Sequence, residues 1–155
     1  MEKVLILGLG NSLRGDDGAG PAVVAALSSM DLPPHVELLD GGTPGLETVL
    51  LLEGYERVII VDAADMGLEP GEWRRFTPDT AEIRSDENKL GGTLHAAGLA
   101  EALGLAEVLD LLPKTLVIYG IQPKSLDWSQ KLTEPLIAAL PLLCAEINQF
   151  VSQST

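Results

Sequence analysis

Four short apolar runs, residues 3–9 (KVLILGL), Val36–Asp40 (VELLD), 57–62 (RVIIVD) and Thr115–Ile121 (TLVIYGI), are bounded by Gly, Pro or Asp. They are brief and rich in branched side chains, so they read as buried strands. Between them, residues 20–30, 45–53, 94–112 and 133–151 carry apolar side chains at helical spacing. Regular alternation of this kind restricts the chain to an α/β fold in which helices cover both faces of a parallel sheet. We therefore expect a three-layer α/β/α architecture with a mostly parallel twisted sheet of about five strands. Residues 72–76 (EWRRF) are polar enough to supply an edge strand, and residues 78–88, charged and rich in turn formers, read as a mobile loop.

The 155 residues, 46% of them hydrophobic, suffice for one cohesive core, and residues 1–155 are read as a single domain. A net charge of −13 opposes phosphate backbones and anionic leaflets, so neither nucleic acid nor a membrane surface is an expected partner. A cation or a basic protein segment suits it better. The lone cysteine, Cys144, lies in the apolar stretch LPLLCAEI and reads as a buried helix residue, which leaves no disulfide framework and no cysteine-based zinc site. No run approaches the roughly 18 apolar residues of a membrane span. The start, MEKVLILGLGNS, does not continue into a signal-peptide pattern, and a cytoplasmic protein is expected.

In an open α/β sheet the ligand site lies beyond the carboxyl ends of the strands. After the first strand comes Gly8-Leu9-Gly10-Asn11-Ser12-Leu13-Arg14-Gly15-Asp16-Asp17-Gly18-Ala19-Gly20, after the second Asp40-Gly41-Gly42-Thr43, and after the third Asp62-Ala63-Ala64-Asp65. Each carries carboxylates and two are glycine-rich, so the acidic groups are expected to gather on one edge.

Three chemistries compete for that edge. Dinucleotide binding fails because position 13 is Leu where a G-x-G-x-x-G loop needs its third glycine, and two aspartates would repel a pyrophosphate. A phosphoacceptor receiver domain would use Asp16, Asp17, Asp62 and Lys124 around Mg²⁺. Receivers, however, place the acidic pair directly at the strand end, whereas here a glycine-rich stretch intervenes. The third chemistry adds His95, in Gly91-Gly92-Thr93-Leu94-His95, with Thr93 as the N-cap of the following helix. A helix start favours neutral imidazole, the form that ligates metals. Two carboxylates and one imidazole would leave an open coordination site suited to Zn, Ni, Fe or Mn. Asp16 reads better as a cap or loop-satisfying group than as a ligand. His35 reads as a surface loop residue, and Trp128 as a loop anchor or a protein contact.

The run from Gly8 to Pro21, with Asp40-Gly41-Gly42-Thr43, Val61-Asp62-Ala63 and Gly120-Ile121-Gln122-Pro123, resembles the hydrogenase maturation peptidases over nearly the whole chain. That resemblance implies an endopeptidase that trims the C-terminal extension from the large-subunit precursor of nickel–iron hydrogenases. By motif it implies Asp17, Asp62 and His95 as metal-binding and catalytic residues. Gly41, Gly42 and Thr43 read either as a strand-to-helix turn or as the place where a substrate peptide approaches the backbone closely. The metal is then nickel supplied by the precursor, which acts as Lewis acid or activates a water while a carboxylate takes the proton. The enzyme is expected to be a monomer. A non-catalytic escort for nickel or for the large subunit is the remaining alternative.

Overall fold

The computed structural model describes residues 2–78 and 94–153, with the backbone alone for 94–97. In chain order the elements are β1 (Val4–Gly8), a 3-10 turn (Gly15–Gly18), α1 (Ala19–Leu27), β2 (Val36–Asp40), α2 (Leu46–Leu51) and β3 (Arg57–Ala63). They continue with β4 (Trp73–Phe76), α3 (Leu94–Val108), β5 (Thr115–Ile121) and α4 (Glu134–Ser152). The five strands form one sheet in the order β2-β1-β3-β5-β4, parallel except for β4, which runs antiparallel at one edge.

Side-chain alternation along the strands builds two separate cores. Val4 and Ile6 of β1, Ile59 and Val61 of β3, and Val117, Tyr119 and Ile121 of β5 pack against α1 and α4. Leu5, Leu7, Val58, Ile60, Leu116 and Ile118 face the other way, onto α2 and α3. The three-layer expectation therefore holds, and the residues that were read as uniformly apolar runs are those of strands covered on both faces.

One strand departs from that reading. β2 was expected to be buried, but Glu37, Leu39 and Asp40 are exposed, because β2 closes the sheet at the edge opposite β4 and has a paired neighbour only on one side. The polar segment at 73–76 is the edge strand anticipated. Residues 79–88 of the expected mobile loop, and Thr93 as a cap, lie outside the described residues. α4 is, among the described helices, the one long and apolar enough by length and mean hydropathy (1.4) to cross a membrane. Its Leu136, Ala139, Leu143, Cys144, Ile147 and Val151 are instead packed into the first core.

The close seating of α1 positions the site. A Cβ on Gly20 would lie 2.3 Å from the Leu9 carbonyl oxygen and 2.6 Å from that of Val61. Glycine there allows the start of α1 to rest directly on the ends of β1 and β3.

Candidate active site

At the carboxyl edge β1 and β3 are neighbours that lead in opposite directions, β1 through α1 to β2 and β3 toward β5. Strand order reverses between them, which makes this gap the topological switch point where an open α/β sheet receives its ligand. Asp62 ends β3 on one side of the gap, and the glycine-rich loop leaves β1 on the other.

The Leu9 amide extends the ladder by one bond, donating to the Val61 carbonyl (2.9 Å). Gly10 then turns at a φ of +138°, which a side chain would oppose, and its Cβ would meet the Asp17 carbonyl at 1.9 Å. The chain folds back so that Asp17 Oδ2 accepts the Asn11 amide (2.9 Å), while Asn11 Oδ1 accepts the Leu13 amide (2.9 Å). Asn11, to which no role was given from sequence, is thus the residue whose backbone orients the Asp17 carboxylate. The 3-10 turn that carries Asp16 and Asp17 packs on β3. Asp17 is 3% exposed and Asp62 4% exposed. Asp62 has the same parity as Val58 and Ile60 and so continues the face of β3 that is turned toward α2 and α3. Aspartate is seldom this deeply buried, which marks the two residues as functional candidates.

Asp16, next in sequence, does something else. Its carboxylate accepts from the Lys124 amide (2.8 Å), the Ser125 amide (3.2 Å), the Thr133 amide (2.7 Å) and the Thr133 hydroxyl (2.6 Å). These bonds all come from the segment between β5 and α4, so Asp16 is a structural tie between two loops. The loop-satisfying role read from sequence is right, but the loop satisfied is not Asp16's own. Lys124 meets Asp16 through its backbone, an arrangement unlike the phosphoryl-holding lysine of a receiver.

The loop after β2 forms the outer wall. Gly41 is wedged where a Cβ would be 2.6 Å from Leu7 Cδ1, so glycine there serves packing. Gly42, with φ +66° and nothing within 4 Å of its would-be Cβ, leaves space beside its backbone, and Thr43 is exposed beside it. Asp40 Oδ1 accepts the Gly42 amide (3.0 Å), and the Gly42 carbonyl accepts the Gly10 amide (2.9 Å), which ties this wall to the glycine-rich loop. Asp40 is exposed on the rim.

The third wall follows β3. Gln122, buried at the end of β5, accepts the Met66 and Leu68 amides (2.7 and 3.2 Å) and donates to Asp65 Oδ1 (3.1 Å). Asp65 is therefore engaged in holding its own loop. The sequence signal that could have identified Gln122 is a polar residue that closes an otherwise apolar strand.

His95 is the second residue of α3, and its side chain lies outside the described residues. The backbone around it is informative. One turn on, a Cβ on Gly98 would meet the Pro44 carbonyl at 2.8 Å, so α3 begins beside the loop that holds Gly41, Gly42 and Thr43. Among the described residues, no three His, Cys, Asp or Glu groups are assembled as a metal site. What the fold shows is two buried carboxylates, Asp17 on the turn that packs on β3 and Asp62 at the end of β3, with the start of α3 beside the loop after β2. Cys144 is no rival as nucleophile: it is buried, its sulfur lies 3.9 Å from the Val23 carbonyl oxygen, and burial pushes its thiol pKa up.

Comparison with known proteins converges on one family. The hydrogenase maturation protease family model, HycI, matches residues 21–149. The hydrogenase expression/formation protein HupD of Bradyrhizobium diazoefficiens is 39% identical over 136 residues, 86% of this chain and 70% of that protein. The hydrogenase maturating endopeptidase HybD from E. coli superposes with a TM-score of 0.84 at 28% identity, covering 97% of this chain and 93% of that one. The hydrogenase 2 maturation peptidase of a Thaumarchaeota archaeon covers 99% of this chain and 100% of its own at 35% identity, with a TM-score of 0.74.

Proposed function

Because the chain belongs to the hydrogenase maturation protease family, an endopeptidase family, we propose that its substrate is the nickel-loaded large-subunit precursor of a nickel–iron hydrogenase. It removes the C-terminal extension of that precursor. The observation that carries this reading is the buried pair Asp17 and Asp62, set on either side of the switch point by the glycine-rich loop and the end of β3.

Asp17, Asp62 and His95 are the groups offered to the nickel of the precursor. Carboxylate and imidazole donors suit that ion, and three of them leave room for the coordination it brings along. The tail lies along Gly41, Gly42 and Thr43, where the space beside the Gly42 backbone admits a second chain. Nickel polarises the scissile carbonyl or lowers the pKa of a water, and a carboxylate of the pair accepts the proton released on attack. The ion thereby serves as recognition element: a precursor without nickel gives these three side chains nothing to engage. The same reading has the enzyme working as a monomer in the cytoplasm.

Mixing the protein with nickel-loaded precursor and weighing the product by mass spectrometry tests the reading. Loss of a C-terminal fragment supports it. Stable association with no change in the mass of the precursor would instead make the chain an escort.

A further inference from the structure

The loop that carries Asp17 also presents an apolar and basic ridge to solvent. Trp128, in the segment after β5, is 73% exposed, and Leu13 is 50% exposed. The two are joined through the backbone, since the Ser129 amide donates to the Leu13 carbonyl (2.9 Å) and the Gly15 amide to the Ser129 carbonyl (2.8 Å). The Arg14 guanidinium lies over the Trp128 ring at 5.1 Å and donates through Nε to the Leu126 carbonyl (3.2 Å). Beneath them Asp16 fastens Lys124, Ser125 and Thr133. The guanidinium over the indole and the bonds that brace its loop lower the ordering cost of contact with a partner. Trp and Arg are also the side chains that most often dominate binding energy at interfaces.

The ridge also carries positive charge. The chain has 10 basic residues against 23 acidic ones, yet Arg14, Lys124 and Lys131 all fall on these two loops, with Asp127 among them. Lys124 and Lys131 are exposed. A partner that meets this ridge needs an apolar patch bordered by carboxylates, a match that also speeds encounter with an otherwise acidic protein.

We propose that Leu13, Arg14 and Trp128, flanked by Lys124 and Lys131, dock the folded body of the precursor on an apolar, acid-bordered surface, separately from the tail that enters the Asp17–Asp62 site. This rests on the substrate reading above. Continuity argues for that occupant. Leu13 and Arg14 belong to the same glycine-rich loop as Asp17, so a body seated on the ridge delivers its metal-bearing terminus to the adjacent edge.

The test uses the full chain and nickel-loaded precursor, with cleavage kinetics by mass spectrometry and binding by interferometry. Trp128→Ala is expected to raise both KM and Kd about ten-fold or more, the usual size of a lost anchor, and to leave kcat within about two-fold. Lys124→Glu together with Lys131→Glu should slow association about ten-fold at low salt, and less at high salt. Unchanged circular dichroism confirms that each variant is folded, and Leu13→Asn serves as a second apolar probe. Parental KM and Kd in Trp128→Ala and Leu13→Asn, with the parent protein cutting normally, would overturn the docking surface alone. Binding that depends on Trp128 with no shortening of the precursor would support the surface and overturn the protease reading. No binding by the parent protein would overturn both.

Discussion

Asp16 and Asp17 are adjacent, chemically identical and both buried, yet the fold gives them opposite tasks. Asp17 is held within the glycine-rich loop by the Asn11 amide, while Asp16 spends its oxygens on the segment from Lys124 to Thr133. Substitution separates them. Asp17→Asn and Asp62→Asn should reduce precursor cleavage by at least about 10²-fold, the scale of a lost proton acceptor or ligand, with little change in thermal midpoint. Asp16→Ala should instead cost about 2–4 kcal/mol in denaturant unfolding, because four partly buried bonds are lost at about 0.5–1.5 kcal/mol each. The tandem Asp16-Asp17 pair is visible in the sequence, and the motif assigns Asp17 to the metal. What the sequence hides is the partner of Asp16, because its four bonds reach 108 to 117 residues downstream and no local pattern encodes them. Gln122 stands in a motif the sequence displays, but its bonds to Met66 and Leu68 reach 56 and 54 residues upstream and are hidden in the same way.

At the scale of elements, the critical joint is the seat of α1 on the strand ends. Gly20→Ala is predicted to destabilise by about 2–3 kcal/mol, at the upper end for overpacking, since its methyl would meet two backbone carbonyls that cannot swing aside. The same shift would move the 3-10 turn, so cleavage should fall along with stability; urea unfolding and the cleavage assay, run on one preparation, check both. The strands were legible because branched, uninterrupted apolar runs such as RVIIVD belong to strands covered on both faces, and β1, β3 and β5 are so covered. VELLD carries a similar pattern, yet β2 lies at the sheet edge with Leu39 exposed, because strand order depends on crossovers that local composition does not record. α3 was legible as a helix that opens near His95. The contact of Gly98 with Pro44, which brings that opening to the site, belongs to tertiary packing alone.

For the whole molecule, burial acts on stability through Tyr119. Burial foremost raises its phenol pKa from 10.0 to about 12, with Glu146 adding to the effect and Arg75 opposing it. A raised folded-state pKa means that the folded protein holds the proton more tightly than the unfolded chain. The associated stability is complete below pH 10 and is lost as pH rises to about 12. Thermal melts across that range should show the decline, and Tyr119→Phe should flatten it. The net charge of −13 is informative chiefly in its distribution: carboxylates at the switch point, and basic and aromatic groups on the neighbouring loops. The proposed function reads that distribution as suited to a metal-bearing protein substrate, and its central claim is that nickel in the precursor licenses the cut. The most direct measurement is the mass of the large-subunit precursor, nickel-loaded and nickel-free, after incubation with the protein. The account predicts loss of the C-terminal extension from the loaded form alone; equal trimming of the nickel-free form, or an unchanged mass in the loaded one, would contradict it.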